Sequence, residues 1–186
     1  YNRQILQLAF PSIVSNITVP LLGLVDQTIV GHLGAATYIG AVAVGTMIFN
    51  VVYWVFGFLR MSTSGLTSQA LGRRDLLDVM TIFTRSLLLG LTIALLFLVF
   101  QSPILHLAVT VISPSATLMP LVYTYYKIVI WGAPAVFGLY AMTGWYVGMQ
   151  NTRLPMLVSI VQVAVNILLS LYFVFALGMK IDGVAL

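Results

Sequence analysis

The sequence has no cysteine. Disulfide bridges and thiolate metal sites are therefore excluded, and cysteine usage is silent on the redox compartment. Charge is almost as scarce. Only 6% of the 186 residues are charged, against about 25% in ordinary soluble domains. The four acids are Asp26, Asp75, Asp78 and Asp182. A water-soluble domain of this length cannot solvate its surface with so few charges. What fills the chain is apolar: 61% of residues are hydrophobic and the mean hydropathy is +1.08. Such a composition specifies an integral membrane protein. The net charge of +4 and the pI of about 9.6 do not point to nucleic acid as a partner. The eight basic residues are dispersed along the chain, and they read as topology signals.

Catalytic patterns are missing as well. There is no HExxH, no phosphate-binding loop and no dinucleotide fingerprint. An intramembrane aspartyl protease needs two embedded aspartates, whereas Asp75, Asp78 and Asp182 fall in loops. Ser62 to Gly65 form a serine-rich run with no base near them in sequence, and His106 stands without a second ligand. The chain is not expected to be an enzyme or to carry a cofactor. The first apolar stretch is too long for a cleavable signal peptide. A chain that opens on Tyr1 rather than Met is expected to be part of a longer protein.

A membrane-spanning helix needs about 20 apolar residues. The expected class is an all-α, polytopic transmembrane helix bundle. Its expected spans cover residues 5–30, 37–59 (continuing as a more polar helix to 70), 79–100, 121–149 and 156–177. That makes five full spans, and "VAL" at 184–186 opens a sixth. "ALGRRDLLD", "QNTRLP" and "GMKIDG" make the turns. "QSPILHLAVTVISPSATLMP", with Pro103, Pro114 and Pro120, is expected to be an uncharged linker. Arg3, Arg73, Arg74 and Arg153 fall on one side. The other side holds only Lys180, beside Asp182. The first side, and with it the N-terminus, is expected to be cytoplasmic, which leaves His32 and the linker outside.

Asp26 is the only carboxylate in the first seventy residues. It falls near the outer end of the first span, within hydrocarbon depth. A lipid-facing Asp there costs roughly 2.5–3.5 kcal/mol on insertion scales. Asp is also too short to reach the headgroups as Lys does. Pro11 and Pro20 free the carbonyls of Gln7 and Asn16 and favour a kink. Ser15, Val19 and Asp26 share one face at helical spacing.

Other spans also carry one polar face. In the second, Thr46, Asn50, Tyr53, Gly57, Arg60 and Ser64 are three or four residues apart. In the fifth, Ser159, Gln162, Asn166 and Ser170 are spaced likewise. The fourth carries Tyr125, Tyr126, Tyr140 and Thr143. Two explanations stand. Polar side chains join helices by hydrogen bonds, and tyrosines form interfacial belts. The other is a bundle around a hydrated cavity, suggested by Gln162 and Asn166 together at mid-membrane. In such a cavity Asp26 is a two-state element: protonation removes its charge, while ionisation favours a wetter or cation-bound state. Coupling it to a solute with the opposite preference gives antiport.

These residues also carry a family resemblance. "LVDQTIVGHLG" resembles the first-helix signature of the multidrug and toxic compound extrusion (MATE) transporters. "SNITVPLLGLVD" and "FLRMSTSGLTSQALG" are similar to the DinF-like branch. "GMQNTRLPM" resembles the family's turn between helices four and five, and "NILLSLYFVFALGMKIDGVAL" the end of helix five. The resemblance implies a twelve-helix exporter of two six-helix lobes, multi-pass in the plasma membrane (the inner membrane of a bacterium). This chain would be most of the amino-terminal lobe, partnered by the carboxy-terminal lobe, membrane lipid and small organic substrates. It implies that Asp26 binds the coupling cation, H+ or Na+. Asn166 matches the family's helix-five Asn, and Ser170 stands where the family usually has a second acid. With neutral partners only, H+ is favoured over Na+, and no metal is expected beyond Na+ at Asp26. Tyr125 or Tyr126, and Thr143, are the nearest matches to further residues lining the family's site.

Two alternatives belong to other classes. A flippase for a lipid-linked precursor, in the same wider superfamily, would place several of Arg60, Arg85 and Lys127 in the central cavity. A non-transporting scaffold subunit would hold Asp26 dry and fully packed.

Overall fold

The computed structural model describes residues 36–176, together with 9–11, 13, 14, 17, 24, 25, 27–29 and 31. Most of the first expected span lies outside the described residues, as do the expected sixth and its preceding turn. Among the described residues every regular element is helical. Four segments are long and apolar enough to cross a membrane: Thr37–Gly72, Leu76–Val99, Met119–Gly148 and Arg153–Val174.

The first of these is two helices end to end, α1 (Ala36–Val55) and α2 (Phe58–Gly72). They meet at Phe56 and Gly57, where the ladder tightens: the Gly57 N–H donates to the Trp54 carbonyl at 3.0 Å. The polar half anticipated after residue 59 is α2. The helix α3 (Leu76–Val99) follows a tight turn, capped by Asp75, whose carboxylate accepts from the Asp78 N–H at 3.0 Å. Arg74 adopts φ 60° in that turn, and Gln150 does the same in the later one. Both turns close alike. The Asp75 N–H reaches the Ala70 carbonyl at 3.1 Å, and the Asn151 N–H reaches the Tyr146 carbonyl at 2.9 Å. These are left-handed caps that re-use the last helical carbonyls.

The expected linker is a correction. Residues 101–112 form a helix, α4 (Gln101–Ile112). Pro103 looked like a loop signal, but it is the third residue of the helix, where a missing N–H breaks no ladder bond. The apolar run after it then stays helical until Ser113 turns left-handed at φ 49°. The fourth span is also less uniform than anticipated. It comprises α5 (Met119–Val129), a 3₁₀ turn at Ile130–Gly132 and α6 (Ala133–Gly148). Pro134 near the start of α6 has no N–H, so the ladder must be interrupted there. The last helix, α7 (Arg153–Leu171), widens into a π turn over Tyr172–Ala176.

The helices pack in two groups. α1 lies on α5, while α2, α3 and α6 form a compact triplet. Small residues make the triplet possible. Ser86, Gly90 and Ala94 lie buried along one face of α3. A Cβ added at Gly90 would sit 3.0 Å from the Phe137 carbonyl oxygen. At Gly144 it would sit 2.5 Å from the carbonyl oxygen of Arg60, and at Gly148 2.6 Å from Cβ of Thr67. Close backbone approach through small residues is how helices associate in lipid, where apolar side chains gain little from leaving the solvent. The large apolar side chains point outward instead: Leu77, Leu88, Leu95 and Val99 of α3 are all exposed.

Candidate functional site

The clearest polar surface is on α7. Its leucines and valines at 154, 157, 158, 161, 165 and 168 are exposed. Its covered side carries Pro155, Ser159, Asn166 and Ser170. Ser170 is 3% exposed. Asn166 is half-buried, and its Oδ1 is fully covered with no hydrogen-bond partner among the described residues. The exposed side of α7 is thus mostly apolar, and three of its polar residues, Ser159, Asn166 and Ser170, lie on the covered side. A buried amide oxygen without a donor is costly, so Asn166 stands ready to accept from, or coordinate, something. Ser170 lies one turn on, immediately before the π turn. Such widened turns free backbone groups and recur at functional sites. Gln162 of the same stripe is exposed.

A second feature runs across α5, α1 and α6 as a chain of aromatic rings. Tyr126 stacks on Phe49 with centroids 5.1 Å apart, and Phe49 on Tyr53 at 5.7 Å. Tyr53 meets Phe137 edge-on at 5.8 Å, and Phe137 meets Tyr140 at 6.2 Å. Phe56 and Phe97 flank Phe137, at 5.5 and 5.7 Å. The residues of the second-span polar face take different roles here. Thr46 approaches the Tyr125 hydroxyl at 3.4 Å, joining α1 to α5. Tyr53 is half-buried in the aromatic chain, and Asn50 is exposed. Tyr125 and Tyr126 are buried between α1 and α5, at 8% and 1% exposure. The Tyr126 hydroxyl has no partner among the described residues. Thr143 is half-buried on α6, about a turn beyond Tyr140.

Asp26 and Ser15 lie outside the described residues, so the structure places neither. Of the three intramembrane cations, Arg60 is half-buried, and Arg85 and Lys127 are exposed. Phe49, Phe56, Phe97 and Phe137 were not anticipated. A lone Phe in an apolar helix carries no periodic signal, and only the packing of four helices shows that these rings form one chain.

Comparison with known proteins gives these features a context. A sequence profile of the family described as MatE matches residues 11–172. The DNA damage-inducible protein F of Escherichia coli (strain K12) is 36% identical over 185 residues, covering 100% of this chain and 40% of that protein. A probable multidrug resistance protein NorM of Xanthomonas axonopodis pv. citri (strain 306) is 31% identical over 153 residues, covering 82% of this chain and 33% of its own. The fold matches an outward-facing multidrug resistance MATE family transporter of the MOP superfamily with a TM-score of 0.89 and 21% identity, covering 98% of this chain and 40% of that one. A MOP superfamily transporter from Pyrococcus furiosus gives the same TM-score, identity and coverage. At this identity the two structures speak to the fold alone. The chain spans less than half the length of each of these relatives.

Proposed function

The chain belongs to the MatE family, and on that premise we propose that it is the amino-terminal lobe of a cation-coupled antiporter that exports amphipathic or cationic organic compounds. The carboxy-terminal lobe of the same protein completes the pathway, and the bacterial inner membrane is its setting. The observation that carries the reading is α7: a membrane-length helix with Ser159, Asn166 and Ser170 on its covered side and the Asn166 Oδ1 buried without a donor among the described residues. A transport pathway needs such a wettable face, and lipid contact does not. That relatives bear the name of probable multidrug resistance proteins supports organic compounds as the substrates.

Asp26 is the coupling residue in this mechanism. It alternates between a protonated state, in which its helix packs, and an ionised state, in which the pathway is wet. Asn166 and Ser170 serve it as neutral partners. H+ is favoured over Na+ because the position of Ser170 contributes no second carboxylate, which Na+ would use to offset its dehydration. The aromatic chain through Tyr53 and Tyr140 offers π faces to an organic cation.

The test is transport by the full-length protein in proteoliposomes under an imposed proton gradient. Asp26→Asn should abolish proton-driven efflux at unchanged expression. Undiminished efflux by that variant would remove Asp26 from the mechanism.

A further inference from the structure

A cavity away from the polar face of α7 carries its own chemistry. It has a volume of about 370 Å³ and is lined by Gln101, Ser102, Leu105, Tyr126, Lys127 and Trp131. It lies where α3 gives way to α4, facing α5. Gln101 and Ser102 open α4, so their N–H groups have no intrahelical partner, and neither makes a backbone hydrogen bond to the helix before them. The first turn of α4 has no side-chain cap, so its N–H groups are open to another acceptor.

The side chains agree with the backbone. Lys127 is exposed, and the ion pair among the described residues, Arg73–Asp78, does not involve it. Tyr126 forms part of the wall, 1% exposed, with its hydroxyl unpartnered among the described residues. The nearest described carboxylates, Asp75 and Asp78, lie at the far end of α3, about 35 Å away along the helix. Every polar group here is a donor or can act as one, and no acid among the described residues competes for them. Such a set fits an anion with several acceptor oxygens.

The surroundings narrow the anion further. Trp131, beside the cavity, is 69% exposed. Leu107 and Val111 further along α4, and Val99 and Phe100 before it, are exposed as well. Exposed Trp and Lys amid apolar surface mark the membrane–water interface. By contrast, a second groove on another face of α4, about 540 Å³ and lined by Met47, Val51, Pro103 and Leu107 among others, carries only apolar side chains. It has nothing to orient a headgroup.

We infer that the Gln101–Lys127 cavity binds the phosphate of an anionic membrane phospholipid. The phosphodiester sits between the free N–H groups of Gln101 and Ser102 and the Lys127 ammonium, with Trp131 against the glycerol. A headgroup that brings its own cation, such as choline, is disfavoured beside Lys127. This inference does not rest on the transport reading, since none of these residues belongs to the proposed ion site.

The experiment uses the full-length protein in neutral detergent, with binding followed by native mass spectrometry and thermal shift. Dioctanoyl phosphatidylglycerol, dioctanoyl phosphatidylcholine and inorganic phosphate are the three probes. Phosphatidylglycerol should bind the wild type best. Lys127→Gln should weaken it about tenfold, the loss of one charge-assisted hydrogen bond. Lys127→Arg should restore it. Ser102→Ala keeps the backbone N–H and should bind phosphatidylglycerol as the wild type does, so that the loss in Lys127→Gln is not a general effect of altering the cavity wall. Equal binding of phosphatidylglycerol by wild type and Lys127→Gln overturns the site. Equal binding of phosphatidylcholine overturns its selectivity. Inorganic phosphate that binds as tightly as phosphatidylglycerol makes it a site for a free anion and overturns the lipid assignment.

Discussion

Oγ1 of Thr63 lies 2.9 Å from Oγ of Ser86, and both side chains are buried between α2 and α3. Thr63 also lies 2.7 Å from the Leu59 carbonyl oxygen. A hydroxyl has one hydrogen, so the two contacts are both served only if Ser86 can donate as well. The pair is an interhelical hydrogen bond in a low-dielectric setting. A double-mutant cycle of Thr63→Ala and Ser86→Ala, read by thermal unfolding in detergent, should give a coupling of about 0.6 kcal/mol, with an upper bound near 1.7 kcal/mol. A coupling indistinguishable from zero would mean that the two hydroxyls find other partners equally well.

Gly144 and Gly65 should respond oppositely to the same substitution. A Cβ at Gly144 meets the Arg60 carbonyl oxygen at 2.5 Å, and backbone does not yield as a side-chain tip does. Gly144→Ala should destabilise by about 1–3 kcal/mol, the range for overpacking. Gly65 has nothing within 4 Å of the added atom, and Gly65→Ala should be neutral or slightly stabilising, since Ala is the better helix former. Melting temperatures of the two variants, measured side by side, check the contrast.

The α2–α3 turn separates a cap from a surface ion pair. Asp75 caps α3 through the Asp78 N–H, and Asp75→Ala should cost about 1 kcal/mol. The Arg73–Asp78 pair is short, at 2.6 Å, but its side chains are 63% and 33% exposed. Arg73→Ala should therefore cost well under 1 kcal/mol, and less still at high salt. Unfolding of the two variants at low and high ionic strength distinguishes the contributions.

Asn166 and Ser170 test the ion site without touching Asp26. Asn166→Ala in the full-length protein should lower coupled efflux by about tenfold, as expected for losing one hydrogen bond to a charged group. Ser170→Asp supplies a second carboxylate one turn away and should raise the response to an imposed sodium gradient. Proton-driven efflux reports on Asn166→Ala, and efflux under an imposed sodium gradient reports on Ser170→Asp. An unchanged sodium response in Ser170→Asp would separate residue 170 from the ion site.

Several elements were legible before any coordinates. Residues 37–70 read as a long helix with a polar second half because its apolar run gives way to Ser and Thr while the periodicity continues. The turns in "ALGRRDLLD" and "QNTRLP" were legible from their charges and from Asn151. α4 was not. Proline counts as a breaker in a linear reading, yet at the third position of a helix it removes a hydrogen bond that does not exist. The aromatic chain was also hidden, because Phe49 and Phe137 are separated by 88 residues and join only through packing.

The sequence by itself determined the solvent. With 6% charged residues, only a membrane can surround this chain; backbone pairing in lipid then allows helices or closed barrels, and apolar runs of about 20 residues select helices. The sequence also determined which residues share a face, since helical spacing is a local property. Only the tertiary structure decided which way each face points. Ser159, Asn166 and Ser170 lie on the covered side of α7 while Gln162 of the same stripe is exposed, and Tyr125 and Tyr126, equally polar at their tips, are buried. Periodicity assigns a residue to a side of its own helix. Which neighbour covers that side depends on small residues elsewhere, such as Gly90, Gly144 and Gly148, that let particular pairs of helices come together.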